Sequence, residues 1–266
     1  RHPTVWTVRE LTRRSQILPV LETDRLYAAY AIGDLEPGMF EDCTWFGAEQ
    51  AGQVRALALL YRGLTPPALV LMGELDGLRA LLDGDGFPAH VYLTCRPPHL
   101  DMTHAFYAWE HTTPMWRMIL PRGARAPTPC VAGNVLPLTS AHAGQLTQLF
   151  AHGGGLAFSP EQIARGVFCG VLVADRLVSV GGTHLVSPTY GVAAIGNVFT
   201  HPDYRGRGYA TAATSAVVVE LLRRGIDDLI LNVAQDNASA VRIYERLGFE
   251  RYCPFYEGPA VRIDDC

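Results

Sequence analysis

Residues 198–211 read Val198-Phe199-Thr200-His201-Pro202-Asp203-Tyr204-Arg205-Gly206-Arg207-Gly208-Tyr209-Ala210-Thr211. The Val-Phe-Thr run predicts the end of a strand over 193–200, His201-Pro202 a turn, and the residues from Ala210 a helix to Arg224. Between strand and helix lies a short basic loop with two glycines. Such a loop aims successive backbone N–H groups, and the positive end of the helix dipole, at an anion. A diphosphate is the expected occupant. A dinucleotide fingerprint would need glycine where Thr211 stands and an acidic residue ending the next strand, whereas Asp227 and Asp228 precede that strand. A Walker loop needs lysine, and all 22 basic residues of this chain are arginine.

One strand further on the chain reads Leu231-Asn232-Val233-Ala234-Gln235-Asp236-Asn237-Ala238-Ser239-Ala240-Val241-Arg242-Ile243-Tyr244-Glu245-Arg246-Leu247-Gly248-Phe249. A strand over 229–233 and a helix over 238–247, closed by Gly248, are predicted. Asn237, Ala240, Val241 and Tyr244 share one helix face about 10 Å long.

Arg205-x-x-Gly208-x-Ala210, followed by Asn237, Ala240, Tyr244 and the Gly248-Phe249 pair, resembles the two signatures of the GNAT superfamily of acyl-CoA-dependent N-acyltransferases. The resemblance covers about residues 171–256. It implies acetyl-CoA, or another short acyl-CoA, as co-substrate, with no metal. Its binding would fall to Val198, Phe199, Thr200, Arg205, Gly206, Arg207, Gly208, Tyr209, Ala210 and Thr211, and to Asn237, Ala240 and Tyr244. It also implies that the strand 198–200 splays from the strand 231–233, freeing backbone N–H groups around Val198 to polarise the thioester carbonyl, and that Tyr244 protonates the departing thiolate. Some family members carry a glutamate where Ala194 stands here. His184, Asn197 and Glu257 are the candidates to take the amine proton directly or through water, and a histidine has the best-matched pKa. Phe158 and Glu257 are cleft-lining candidates by position.

The stretch 120–134 is rich in Pro, Gly and Ala and reads as a linker. It divides the chain into residues 1–125, a degenerate GNAT-like α/β domain, and 134–266, the catalytic GNAT domain. The fold class is mixed α/β. Upstream, helices are predicted over 23–32, 76–82 and 101–109, and strands over 43–46, 53–61, 68–72, 90–94 and 116–120. Downstream, helices over 141–151 and from Ser159-Pro160-Glu161-Gln162 precede a hairpin of 171–174 and 177–184, and 249–255 supplies closing strands. Where a diphosphate loop would lie in the first half, Met72-Gly73-Glu74-Leu75-Asp76-Gly77 is acidic and lacks the motif. This tandem arrangement is similar to that of glycine N-acyltransferases and their bacterial relatives.

Composition narrows the partners. The chain has 266 residues, 48% hydrophobic and 18% charged, with net charge −4, a soluble globular profile without the concentrated positive charge nucleic acid demands. No run of about 18 apolar residues and no leader after Arg1-His2-Pro3 is visible, so no membrane partner and a cytoplasmic location are expected. Six cysteines without CxxC spacing read as free thiols, Cys43, Cys95, Cys130, Cys169, Cys253 and Cys266. His99, His104 and His111 with Asp101 and Glu110 lack metal-ligand spacing. His152-Gly153-Gly154-Gly155 reads as a flexible turn, since no GxSxG elbow accompanies it. The expected activity is direct transfer in a ternary complex to a primary amine on a small molecule or a protein. A non-catalytic acyl-CoA-binding or regulatory module is the rival, motivated by Ala194 and the degenerate half, and the first half could also serve a homodimer interface.

Overall fold

The structure is a computed structural model describing residues 5–125, 131–155 and 158–263. Residues 126–130 of the expected linker, Cys130 among them, together with Cys266 and the first four residues, lie outside the described residues. The elements run β1 (Thr7–Leu11), α1 (Arg14–Leu21), α2 (Ala29–Gly33), β2 (Cys43–Gln50), β3 (Gln53–Tyr61), β4 (Ala68–Gly73), α3 (Leu75–Leu82), β5 (His90–Cys95), α4 (Pro97–Thr103), β6 (Tyr107–Trp109) and β7 (Thr113–Ile119). Then follow β8 (Asn134–Pro137), α5 (Ala143–Phe150), α6 (Glu161–Arg165), β9 (Cys169–Val173), β10 (Arg176–Ser187), β11 (Val192–Thr200), α7 (Tyr209–Arg223), β12 (Asp228–Ala234), α8 (Ala238–Arg246) and β13 (Glu250–Arg262).

Contacts divide the chain into two compact units, Arg1–Trp116 with Cys253–Cys266, and Arg117–Tyr252. The linker reading breaks the chain at 125 and 134; the compact units break it at Arg117 and again at Cys253. The cause is β13, whose residues Tyr256 to Val261 pair antiparallel with Cys95 to His90 of β5. Phe255 is fully buried there and meets the Tyr27 ring edge-on at 6.3 Å.

In the first unit the strands lie in the order β1-β2-β3-β4-β5-β13, with β6 also on β13. Residues Ala56 to Leu60 of β3 are all at most 1% exposed, so both faces of this central strand are covered and its sequence is a continuous apolar run rather than an alternation. Helix α3 packs Leu78, Leu81 and Leu82 against it, and Gly77 allows the approach, because a Cβ there would come within 2.7 Å of the Ala56 Cβ. The helix expected over 101–109 is instead the short α4 followed by strand β6. Pro97 and Pro98 start α4 early, and Tyr107, fully buried, donates its hydroxyl to the Pro88 carbonyl at 3.2 Å. Residues 23–32, expected as one helix, form a 3-10 turn at Glu22–Asp24 and the separate helix α2.

In the second unit the order is β12-β11-β10-β9-β8, and the Leu120 N–H bonds the Leu229 carbonyl on the far side of β12. Helix α7 lies across β8 to β11; Gly181 of β10 makes room, since a Cβ there would stand 2.9 Å from the Thr214 backbone N. Each unit thus repeats strand, two helices, hairpin, strand, helix, strand, helix. Each also holds one parallel pair, β4 with β5 and β11 with β12, as two consecutive strand-helix steps require.

Candidate active site

The parallel ladder between β11 and β12 covers four residue pairs, from Val192 with Asp228 to Ile195 with Leu231. Beyond it the strands have no register, and Gly196 to Thr200 are half-buried where the preceding Val192 to Ile195 are buried. The β12-facing edge of residues 196–200 therefore carries backbone groups without ladder partners. Two bulges produce the divergence. Between the pairs Val180 with Phe199 and Gly182 with Gly196, β11 holds one residue more than β10, and Asn197 stands there at φ +53°. Between Thr183 with Ile195 and Leu185 with Ala194 the surplus lies on β10, and the extra residue is His184.

The bulges bring the sequence candidates His184 and Asn197 to the point where the strands part. A Cβ on Gly196 would come within 2.3 to 2.5 Å of the His184 ring, so the imidazole is seated on the bare glycine backbone. His184 is an exposed residue, yet the protein around its ring holds its pKa below the ordinary histidine value through desolvation. The Asn197 Nδ2 makes long contacts to the Thr183 carbonyl (3.4 Å) and to Gln162 Oε1 (3.5 Å). Gln162 also accepts the Ser159 N–H at 3.3 Å, the back-bond of a helix start.

At the end of β11 the chain makes a 3-10 turn, Pro202–Tyr204, and then the glycine loop. Gly206 at φ +74° and Gly208 at φ +80° are left-handed, a conformation costing other residues about 1–2 kcal/mol. Gly208 is the residue on which α7 begins, so the first N–H groups of that helix open at the loop. Arg205 Nε donates to the Thr200 carbonyl at 3.2 Å and Arg207 to the Asp203 carbonyl at 3.1 Å, which ties both guanidinium groups to the loop. Tyr209 is buried and donates to the Ala132 carbonyl at 3.0 Å; in this structure it anchors the loop. Thr200 shares a 2.7 Å hydroxyl contact with Ser179, and Phe199 packs with Phe150 at 6.1 Å.

His201 was not singled out by the sequence pattern. It is 5% exposed, its Nδ1 accepts the Asp203 N–H at 3.2 Å, and its Nε2 stands 2.9 Å from an Arg176 nitrogen. His152 meets it edge-on at 4.1 Å. Of the three glycines after His152, Gly153 faces open space, whereas a Cβ on Gly154 would strike the Phe199 ring at 2.4 Å, and one on Gly155 the Phe150 ring at 2.4 Å. Phe158 belongs to the same aromatic group, 4.9 Å from Phe150 and 6.0 Å from Phe168.

Along α8, Asn237 is the N-cap, its Oδ1 accepting the Ala240 N–H at 3.2 Å. Its side chain is thus committed to the helix start, which explains the residue type without a ligand. Ala240 is half-buried, and Tyr244, 9% exposed, sits edge-on to Phe249 at 6.3 Å. Burial pushes the Tyr244 phenol up to about 12. Glu257 lies on β13 in the first unit, where it accepts from the Tyr92 hydroxyl at 3.3 Å. Among the described residues no group of His, Cys, Asp and Glu could hold a metal ion, and no helix is long and apolar enough to cross a membrane.

Residues 146–249 match the model of the acetyltransferase (GNAT) family. This part of the chain is a GNAT domain. The match spans the open β11 edge, the glycine loop and α8. A Yersinia pestis protein described as an acetyltransferase is 38% identical over 64 residues, 24% of this chain and 45% of that protein, so the alignment spans under half of this curated relative. A tandem GNAT protein from the clavulanic acid biosynthesis pathway superposes with TM-score 0.61 at 13% identity, over 98% of this chain and all of its own. A Drosophila protein superposes with TM-score 0.70 at 10% identity, covering 97% of this chain and 98% of that one. The mixed α/β fold is therefore that of GNAT proteins, tandem ones included.

Proposed function

We propose that the chain is an N-acetyltransferase that moves the acetyl group of acetyl-CoA directly to an acceptor amine, both substrates being bound together. The observation that carries this reading is the early end of the β11–β12 ladder at Ile195, immediately before a left-handed glycine loop that opens α7. An exposed strand edge leading into a helix N-terminus fits one elongated ligand with amides at one end and a diphosphate at the other. Arg205, Gly206, Arg207, Gly208, Ala210 and Thr211 would hold the diphosphate. The backbone of Val198, Phe199 and Thr200 would hold the arm, with the N–H groups around Val198 polarising the carbonyl as its oxygen takes up negative charge.

The amine must lose a proton, and His184 is the group whose lowered pKa keeps it neutral and receptive at pH 7. Asn197 would orient the acceptor or a bridging water. Tyr244, protonated at any physiological pH, would return a proton to the thiolate. A relay through Cys169 is disfavoured, since burial pushes that thiol up to about 11.

A second reading, an acyl-CoA-binding module without turnover, draws on Ala194, which is fully buried where a carboxylate would otherwise stand on β11. Calorimetry with acetyl-CoA, alongside an Arg205→Ala, Arg207→Ala variant, followed by an amine screen for released thiol, separates the readings. Binding lost in the variant together with amine-dependent thiol release supports the enzyme. Binding with no release across small-molecule and peptide amines favours the module, and no binding by the unaltered protein overturns both.

A further inference from the structure

Beside the glycine loop stands a cation that the proposed diphosphate site does not use. The hairpin between β9 and β10 turns through Ala174 and Asp175, both left-handed at φ +47° and +61°, as a tight two-residue turn requires. Val173 therefore pairs directly with Arg176, which the turn fixes as the first residue of β10. Among the described residues the Arg176 guanidinium has no carboxylate partner; what it meets is Nε2 of His201 at 2.9 Å and the Tyr204 ring at 5.9 Å.

The contact with His201 is unbalanced. His201 is the N-cap of the Pro202–Tyr204 turn, where its Nδ1 accepts the Asp203 N–H at 3.2 Å. A neutral imidazole has one acceptor nitrogen, so the proton sits on Nε2, and a guanidinium can only donate. Two donors thus face each other at 2.9 Å. The other tautomer moves the fault without removing it, because a proton on Nδ1 would then face the Asp203 N–H. An acceptor placed against both Arg176 and Nε2 resolves the conflict.

Space for one is present. A cavity of about 290 Å³ opens between the hairpin turn and α5, lined by Arg176, His201 and His152 together with Gln145 and Gln148. Arg176 and His152 are exposed residues, open to a ligand, and the His152 and His201 rings lie 4.1 Å apart. Asp175 is the one carboxylate of the lining, and it makes no ion pair with either Arg176 or His152. Burial holds the His201 pKa below the ordinary value, and His152, Arg176 and Arg205 push the same way against Asp203, so the field at this ring is positive.

We infer that Arg176, His201 and His152 form a second phosphate site, beside the diphosphate loop and distinct from it, that takes a phosphate monoester. Its three free oxygens accept from the guanidinium, from Nε2–H of His201 and from the His152 ring, whereas a carboxylate offers two oxygens to three donors. Two sources share this chemistry: the monoester that coenzyme A carries on its ribose, and a separate phosphate-bearing molecule. The first rests on the acetyl-CoA reading; the second does not.

The test has two arms, each run on the full chain and on Arg176→Gln and His152→Gln, which alter exposed side chains. In one, inorganic phosphate and acetate are titrated while NMR follows the His152 and His201 rings. In the other, calorimetry compares acetyl-CoA with its analogue lacking the ribose phosphate. Phosphate should bind saturably, about tenfold or more tighter than acetate, and should weaken about tenfold in each variant. It should also raise the pH at which His201 protonates, since a bound anion favours the imidazolium. Phosphate held by the Arg205 loop instead would ignore both variants. An analogue about tenfold weaker than acetyl-CoA, with the gap closed in R176Q, assigns the site to the co-substrate's own monoester. Equal affinities, with phosphate still binding in the presence of acetyl-CoA, assign it to a separate molecule. The proposal is overturned if phosphate does not bind and the two coenzyme forms bind alike, if acetate matches phosphate, or if both variants behave as the unaltered protein in both arms. Absence of all acetyl-CoA binding would refute the acetyl-CoA reading and leave the phosphate arm to decide this one.

Discussion

The ring of His184 rests on the backbone of Gly196, so closely that a methyl group at residue 196 would overlap Nε2 at 2.3 Å. One bulge delivers the imidazole and a glycine on the facing strand receives it. Gly196→Ala should therefore displace His184 and lower turnover by about tenfold while leaving acetyl-CoA affinity unaltered, and His184→Ala should lower it on the order of 100-fold. Because the His184 pKa is depressed, the neutral form persists below the ordinary value near 6.5. Activity in the unaltered enzyme should fall only as pH drops past that lowered value, and this acid limb should vanish in His184→Ala. A pH–rate profile that keeps the limb in the variant removes His184 from the chemistry.

The loop before α7 makes a separable prediction about binding. Arg205→Ala with Arg207→Ala should weaken acetyl-CoA by at least about tenfold, and the loss should shrink as salt is raised because the contacts are exposed charges. Gly208→Ala should weaken it too, by forcing a left-handed alanine at a cost of about 1–2 kcal/mol. Calorimetry at two salt concentrations reads both effects, and equal affinities across the set would place the diphosphate elsewhere.

Tyr244→Phe tests the proton return. The phenol is held protonated by burial, with its pKa pushed up to about 12, so the residue should contribute no alkaline limb below about pH 10. Removing the hydroxyl should cut kcat on the order of 100-fold with acetyl-CoA binding intact. Unchanged turnover would leave the ring with only its packing against Phe249 to explain it.

How far the sequence carried these arguments follows from the range of the interactions. The glycine loop and α8 are local: a left-handed turn, a helix cap and a 3.6-residue face are written in adjacent residues, and each was legible. Strand β6 was read as helix because Tyr107 to Trp109 owe their extended form to pairing with Arg262 to Ala260, partners about 150 residues away. The return of β13 to the first unit is topological and has no local signature. His184 was read at a strand end but stands in a bulge within β10, which interrupts the alternation that strand reading depends on. The Arg176, His152 and His201 group joins three separate elements, and no spacing along the chain announces it.

Asp34 provides a stability prediction away from the candidate active site. Burial raises its carboxyl pKa to about 7, against about 4 in an unfolded chain. The folded state therefore holds this proton more tightly. Its contribution is fully present below pH 4 and is lost as pH rises through 7, since stability falls with pH wherever the native state binds more protons. Asp34→Asn, which cannot ionise, should be more stable than the unaltered protein at pH 8 by about 1–3 kcal/mol, a figure reduced from the full shift because the residue is only half-buried by surface area. The gap should close as pH is lowered toward 4. Urea unfolding at pH 8, 6 and 4.5 measures it: a difference that does not vary with pH would mean that Asp34 ionises freely and that its burial carries no electrostatic penalty.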